Sequence, residues 1–230
     1  MIVAITGITG GIGTALEHRL QALSWQVVGF SRTPSAQYVS LDMEAPLVEM
    51  QKVFGDAARR VGGFDAAVFL AGADVLSPPL RQAPYAERLN ALWKVDVEGT
   101  VKSVQSVIPW LNPKARIVTT GWDMATLGMG GESGELYALA KGAVTAYSKS
   151  VARSLTGTAS VAVLAPGWVK TRWADRLPQE SQSRMVSHTL AKQWQTPDEV
   201  AKVIVWMLQA PSDLITGQVI YANRGDVMPG

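Results

Sequence analysis

Short runs of apolar, largely β-branched residues recur at positions 2–6, 26–31, 38–41, 66–70, 115–120, 161–164 and 218–221, mostly separated by stretches long enough for a helix. Each run is too short to be a core helix and is rich in side chains that pack on a pleated surface. Runs such as Ala67-Val68-Phe69-Leu70 show no polar alternation, so a strand there is buried on both faces. A parallel sheet with helices on each side provides that burial. Between the runs, helix formers with apolar residues at three- and four-residue steps predict helices over 12–23, 45–60, 86–110, 135–155 and 197–208. Thr196, Pro197, Asp198 and Glu199 make a strong helix start: a capping hydroxyl, a proline at the first position, and acids at the positive end of the dipole. The expected fold is α/β, a doubly wound parallel sheet of about seven strands with helices on both faces. It forms one domain over residues 1–230, a length that supports a single substantial core.

Composition narrows the chemistry. Hydrophobic residues at 47% and charged residues at 17% match a globular protein. The 21 basic residues are scattered and nearly balanced by 19 acidic ones, which leaves no basic stripe for a nucleic-acid backbone. There is no cysteine, which excludes disulfides, thiolate catalysis and cysteine-bound zinc; His18 and His188 are the only histidines, so no metal site is expected. The start, Met1-Ile-Val-Ala-Ile-Thr6, lacks a basic segment, an apolar core and a small-residue cleavage site, and no apolar run reaches the ~20 residues that span a bilayer. A cytoplasmic protein using an organic cofactor is expected.

The first predicted strand runs into Thr6-Gly7-Ile8-Thr9-Gly10-Gly11-Ile12-Gly13, and a helix follows. Glycines in such a turn let the backbone bend sharply and approach a pyrophosphate, which then sits on the helix N-terminus. The spacing of Gly7, Gly11 and Gly13 resembles the cofactor fingerprint of the short-chain dehydrogenases/reductases, and further segments along the chain are similar to that family. The resemblance implies a Rossmann-like fold that binds NAD(P). It places cofactor contacts at Gly7, Gly11, Ile12, Gly13, Ser31, Arg32, Asp42, Met43, Ala71, Gly72, Pro166, Gly167, Val169 and Thr171, together with Tyr137 and Lys141. Ser31 and Arg32 stand where the family selects its cofactor. An acid there would favour NAD; the planar, permanently charged guanidinium of Arg32 suits the 2′-phosphate of NADP. NADP is therefore expected over NAD, although Arg32 also reads as a solvated residue before Pro34. Phe69-Leu70-Ala71-Gly72 keeps the alanine and glycine of the family's Asn-Asn-Ala-Gly segment and loses both asparagines.

Tyr137-Ala-Leu-Ala-Lys141 puts a phenol and an ammonium at i and i+4, on one helix face. The family resemblance makes them the catalytic pair. Tyr137 exchanges a proton with a carbonyl or alcohol oxygen while hydride moves to or from nicotinamide, and Lys141 together with the cofactor's positive nicotinamide draws the phenol pKa down. The family's serine at the end of the fifth strand falls on Gly121 or Trp122; Thr120, Asp123 and Ser133 are the nearby candidates to replace it. The family's asparagine in the preceding helix matches Asp96, whose charge is expected to raise the pKa of Lys141.

The polar, irregular stretch 171–195 is the expected substrate lid. Trp122, Trp168 and Trp173 gather by sequence around the site and read as core or lid packing, or as the wall of a pocket for a bulky or apolar carbonyl. The expected function is carbonyl–alcohol interconversion on a small molecule. The alternative is a cofactor-binding sensor or interaction protein of weak activity. No Gly-x-Ser-x-Gly supports a hydrolase. Small residues Ala140, Ala143 and Ala146 allow close helix packing in the homodimer or homotetramer that the resemblance implies.

Overall fold

The computed structural model describes residues 1–187 and 189–228; His188 lies outside the described residues. β1 (Ile2–Thr6) leads into α1 (Gly11–Ala22), β2 (Gln26–Ser31), β3 (Val39–Ser40), α2 (Leu47–Val61) and β4 (Phe64–Phe69). α3 (Tyr85–Leu92), a π-helical turn (Trp93–Glu98) and α4 (Gly99–Val107) then carry the chain to β5 (Leu111–Thr120) and α5 (Glu132–Ser154). β6 (Ala159–Pro166), α6 (Arg172–Asp175), α7 (Gln179–Ser187), α8 (Pro197–Gln209), α9 (Ser212–Ile215) and β7 (Val219–Ala222) complete it. All strand pairs are parallel, in the order β3-β2-β1-β4-β5-β6-β7. This is the Rossmann-like doubly wound sheet in a single domain.

Strand alternation distributes the apolar side chains between two cores. Val3, Ile5, Ala66, Val68, Val118, Ala162 and Leu164 meet Leu16 and Leu20 of α1 and Val200 and Ile204 of α8. Ala4, Phe30, Ala67, Phe69, Ile117 and Val161 meet Met50 and Phe54 of α2, Val104 and Val107 of α4 and Val151 of α5. The uninterrupted apolar strands thus supply both faces. α8 starts as its sequence demands: Thr196 Oγ1 accepts the Glu199 N–H at 3.2 Å, and Glu199 accepts the Thr196 N–H at 2.8 Å. Asp198 takes both ends of the Arg19 guanidinium at 2.6 Å, tying α8 to α1 at the surface.

Three expectations need correction. The helix expected over 86–110 is α3 and α4 joined through the π-helical turn Trp93–Glu98. The wider turn shifts the helical phase, so that Leu92 before it and Val104 after it are both buried while Asp96 within it is 1% exposed. The strand expected over 38–41 is only Val39–Ser40; the Tyr38 N–H donates to Ser35 Oγ at 3.0 Å and not to the sheet. β5 starts earlier than expected, at Leu111, with a register break opposite Phe64–Ala66; Pro113, which cannot donate to a ladder, sits in that irregular part. No helix among the described residues is long and apolar enough to cross a membrane.

Candidate active site

The C-terminal ends of the strands share one edge: Thr6 is paired with Phe30 and Phe69, Phe69 with Thr119, Thr120 with Leu164, and Pro166 with Ala222. Chain order reverses between β1 and β4, where open α/β sheets form their ligand crevice. The turn from β1 to α1 opens there. Gly7 has φ +71°, and a Cβ on it would lie 2.6 Å from the Ala71 nitrogen; one on Gly13 would lie 2.3 Å from the Gly7 oxygen. Both positions exclude a side chain because the turn folds onto itself and onto the end of β4. α1 has no side-chain cap and no acid in its first turn, which leaves its N–H groups and positive dipole end for an anion. A Cβ on Gly11 would meet the Thr171 methyl at 3.2 Å, so the segment after β6 lies against this turn. Ile12 packs into the core beside it.

At the end of β2, Ser31 is buried and its Oγ accepts the Thr33 N–H at 3.2 Å, whereas Arg32 is exposed and pairs with no acid among the described residues. Asp42 Oδ1 accepts the Glu44 N–H at 2.9 Å. The Met43 side chain is buried, with the Ser103 hydroxyl 3.9 Å from its sulfur, which leaves only the backbone of Met43 to meet a ligand. Thr6 Oγ1 is buried with no partner among the described residues, next to Phe69, one of the two positions where the family segment it resembles has asparagine.

Tyr137 and Lys141 lie on α5, and the π-helical turn brings Asp96 to them. Lys141 Nζ is 2.8 Å from Asp96 Oδ2, with the two side chains 5% and 1% exposed, and 5.4 Å from the Tyr137 ring centre. Asp96 Oδ1 accepts the Ala73 N–H at 2.7 Å, so the segment after β4 clamps the carboxylate from its other side. Burial works against the lysine's charge, but Asp96 and Tyr137 outweigh it and raise the Lys141 pKa. The phenol departs from expectation. Burial pushes its pKa up, Lys141 pulls it down, and Asp96 adds to the rise, so it stands above its ordinary value. Lys141 acts in the expected direction; desolvation and the aspartate overcome it.

Each expected replacement for the serine has a hydrogen-bond partner elsewhere, and of the two hydroxyls only Ser133 keeps its O–H to donate. Thr120 Oγ1 donates to the Phe69 carbonyl at 2.9 Å, and Ser133 Oγ accepts from Arg88 at 3.1 Å. Asp123 is buried and accepts from Asn223 Nδ2 at 3.2 Å. Burial, which outweighs the Asn223 hydrogen bond, pushes its pKa from 3.8 up to about 6. A carboxyl whose pKa is higher folded than unfolded stabilises the fold while protonated, and that contribution fades as pH rises from about 4 to about 6. The rise corresponds to about 3 kcal/mol against the charged form. Asp123→Asn is therefore expected to raise Tm at pH 7.5 by several degrees and to gain nothing at pH 4; a variant equally stabilised at both would contradict this reading.

Residues 168–195 form an excursion closed at its base: the Gln195 N–H donates to the Trp168 carbonyl at 2.9 Å, and the Lys170 N–H to the Gln195 carbonyl at 2.8 Å. The stretch read as irregular contains α6 and α7. Trp168 and Trp173 meet at 6.1 Å, and a third member not apparent from the sequence, Trp194, lies at 6.1 and 5.5 Å from them. Trp122 is placed differently, edge-on to Tyr137 with centroids 5.2 Å apart. Arg172 was also missed; it donates to the Thr9 carbonyl of the glycine-rich turn at 3.2 Å. A cation just after Thr171, itself a suspected contact, was the available signal. Gln195 Oε1 accepts the Gly167 N–H at 3.2 Å and steadies the Pro166–Gly167 turn; Val169 bridges to the same glutamine.

The family described as enoyl-(acyl carrier protein) reductase matches residues 9–226. The 3-oxoacyl-[acyl-carrier-protein] reductase FabG of Escherichia coli (strain K12) is 25% identical, covering 99% of this chain and 97% of its own. Among solved structures, the aldohexose dehydrogenase of Thermoplasma acidophilum superposes with a TM-score of 0.85 at 19% identity, covering 97% of this chain and 92% of its own. ElxO, solved with NADP bound, gives 0.83 at 19% identity and covers 97% of both chains.

Proposed function

Because this chain belongs to the short-chain dehydrogenases/reductases, a family of NAD(P)-dependent oxidoreductases, we propose that it is an NADP(H)-dependent carbonyl reductase with Tyr137 as its proton donor. The observation that carries this reading is the buried centre in which Tyr137, Lys141 and Asp96 meet at the reversal edge of the sheet. The residues there suit a dinucleotide. The self-packed turn of Gly7, Gly11, Ile12 and Gly13 and the open N-terminus of α1 would hold a pyrophosphate, with Arg172 at hand on the same turn. Ser31 and the free guanidinium of Arg32 would hold an adenosine 2′-phosphate, and Asp42 and the Met43 backbone the adenine. Ala71, Gly72, Pro166, Gly167, Val169 and Thr171 would line the nicotinamide end. The bound dinucleotide supplies the hydride.

The phenol supplies the proton. With its pKa held above the ordinary value, Tyr137 stays protonated at neutral pH and is suited to give a proton to a carbonyl oxygen as hydride arrives at carbon. Alcohol oxidation needs the phenolate and is expected to require alkaline pH. The excursion over 171–195 acts as the lid that keeps water from this step. Assembly as a homodimer or homotetramer through α4 and α5, in the cytoplasm, belongs to the same proposal.

The test is NADPH oxidation against a panel of small, bulky and aromatic aldehydes and ketones, run in parallel with NADH. Turnover with NADPH preferred is expected. Arg32→Ala should weaken NADPH binding by about 10- to 100-fold, the worth of one charge-assisted contact, while NADH binding stays within about threefold. Tight cofactor binding with no turnover across the panel would overturn the enzyme reading in favour of a sensor; equal losses for both cofactors would overturn the phosphate role of Arg32.

A further inference from the structure

We infer that Trp122 supplies, through its indole N–H, the hydrogen bond that orients the substrate oxygen beside Tyr137. The inference rests on the carbonyl reductase reading and adds a residue to that site. A lone phenol cannot fix a carbonyl: the oxygen needs a second donor to stop it rotating out of line with the proton. The hydroxyl at the end of β5 is not free to act in this way: Thr120 donates it to the Phe69 carbonyl. Ser133 stands further on, in the first turn of α5, where its oxygen accepts from Arg88, and Asp123 accepts from Asn223. Gly121 has no room for a side chain, since a Cβ there would lie 2.9 Å from a Val163 methyl and 3.0 Å from Thr145 Oγ1.

Trp122 is the next residue, and its surroundings suit the task. It is 7% exposed, which locks the ring. The ring meets Tyr137 edge-on at 5.2 Å and an interplanar angle of 71°, in direct contact with the phenol ring. The indole N–H donates to no residue among those described. Its chemistry also differs from that of a serine: an indole donates and never accepts. Trp122 can therefore hold a carbonyl oxygen or the alkoxide formed from it, but it cannot take a proton from an alcohol. Proton exchange is left to Tyr137 alone.

Three substitutions in the full-length protein test the inference, using the best carbonyl substrate from the panel. Trp122→Phe keeps an aromatic ring against Tyr137 and removes the N–H; kcat should fall by about 10²-fold, the usual effect of losing one oxyanion donor, with NADPH affinity unchanged. Trp122→Ser and Trp122→His restore a donor by different means, and at least one should recover tenfold or more over the phenylalanine variant. A phenylalanine variant within threefold of wild type would overturn the inference, and so would equal losses in all three. If Trp122→Phe fails to give a cooperative melt, Trp122→Ser against Trp122→Ala gives the same comparison of donor with no donor. Tyr137→Phe separates the two levels of the proposal: full turnover in that variant would defeat the reductase reading, whereas inactivity there beside an unaffected Trp122→Phe defeats the Trp122 inference alone.

Discussion

Tyr137→Phe is expected to lower kcat for carbonyl reduction by about 10²- to 10⁴-fold, the span that one positioned general acid supplies, while fold and NADPH affinity are retained. The hydroxyl hydrogen-bonds no residue among those described, so removing it leaves no partner stranded in the interior. The ring keeps its edge-on contact with Trp122 and its place beneath Lys141. Tm should move by no more than a few degrees. The pH profile of the parent enzyme carries the same argument. Burial and Asp96 hold the phenol's pKa up against the pull of Lys141, so reduction should stay level through neutral pH and fall only in alkali as the phenol ionises. Asp96→Asn removes one of the two influences that raise it, and the alkaline limb should move to lower pH. A profile that shifts upward, or a phenylalanine variant that still turns over, would show that the proton comes from elsewhere.

Lys141→Met should be the most destabilising single change in the site, by about 3–5 kcal/mol, because it strands a buried carboxylate. Asp96 is 1% exposed and sits 2.8 Å from the lysine nitrogen; with that cation gone, the Ala73 N–H is the one group among the described residues that still answers its charge. For a chain of this size the loss corresponds to a fall in Tm of about 10 °C or more. The double variant Lys141→Met with Asp96→Leu removes both charges and should regain most of the stability, since an apolar pair of similar volume replaces a buried ion pair at little cost. Activity should stay lost in the double variant. That separation of stability from turnover distinguishes a lysine that serves the reaction from one that serves only the fold. Additive losses measured by chemical denaturation would mean that the two side chains are not coupled.

The parts of this site legible from the sequence were those that depend on neighbours along the chain. Gly7 and Gly13 follow from a turn that must fold onto its own backbone, the Thr196 cap from one helix turn, and Tyr137 with Lys141 from a four-residue step on one helix face. Trp122 was legible as one of two residues, with Gly121, on which the family's serine position falls, but not as the ring set against the phenol. The break in the helix over 86–110 was hidden, because a single widened turn leaves the apolar spacing on either side nearly intact. The partnership of Trp194 with Trp168 and Trp173 was equally hidden, since it depends on how an excursion of the chain returns to its base.

Strand and helix periodicity, set by covalent geometry and by which side chains avoid water, determined by themselves the doubly wound sheet and a helix that carries Tyr137 and Lys141 on one face; it was the family resemblance that marked the two as a pair. Only the tertiary structure decided the electrostatics around that pair. The π-helical turn delivers Asp96 to Lys141, Asn223 reaches Asp123 from the far end of the chain, and burial and Asp96 outweigh Lys141 at the Tyr137 phenol. A pKa depends on desolvation and on charges within a few ångströms, and those distances come into being only when remote segments pack together.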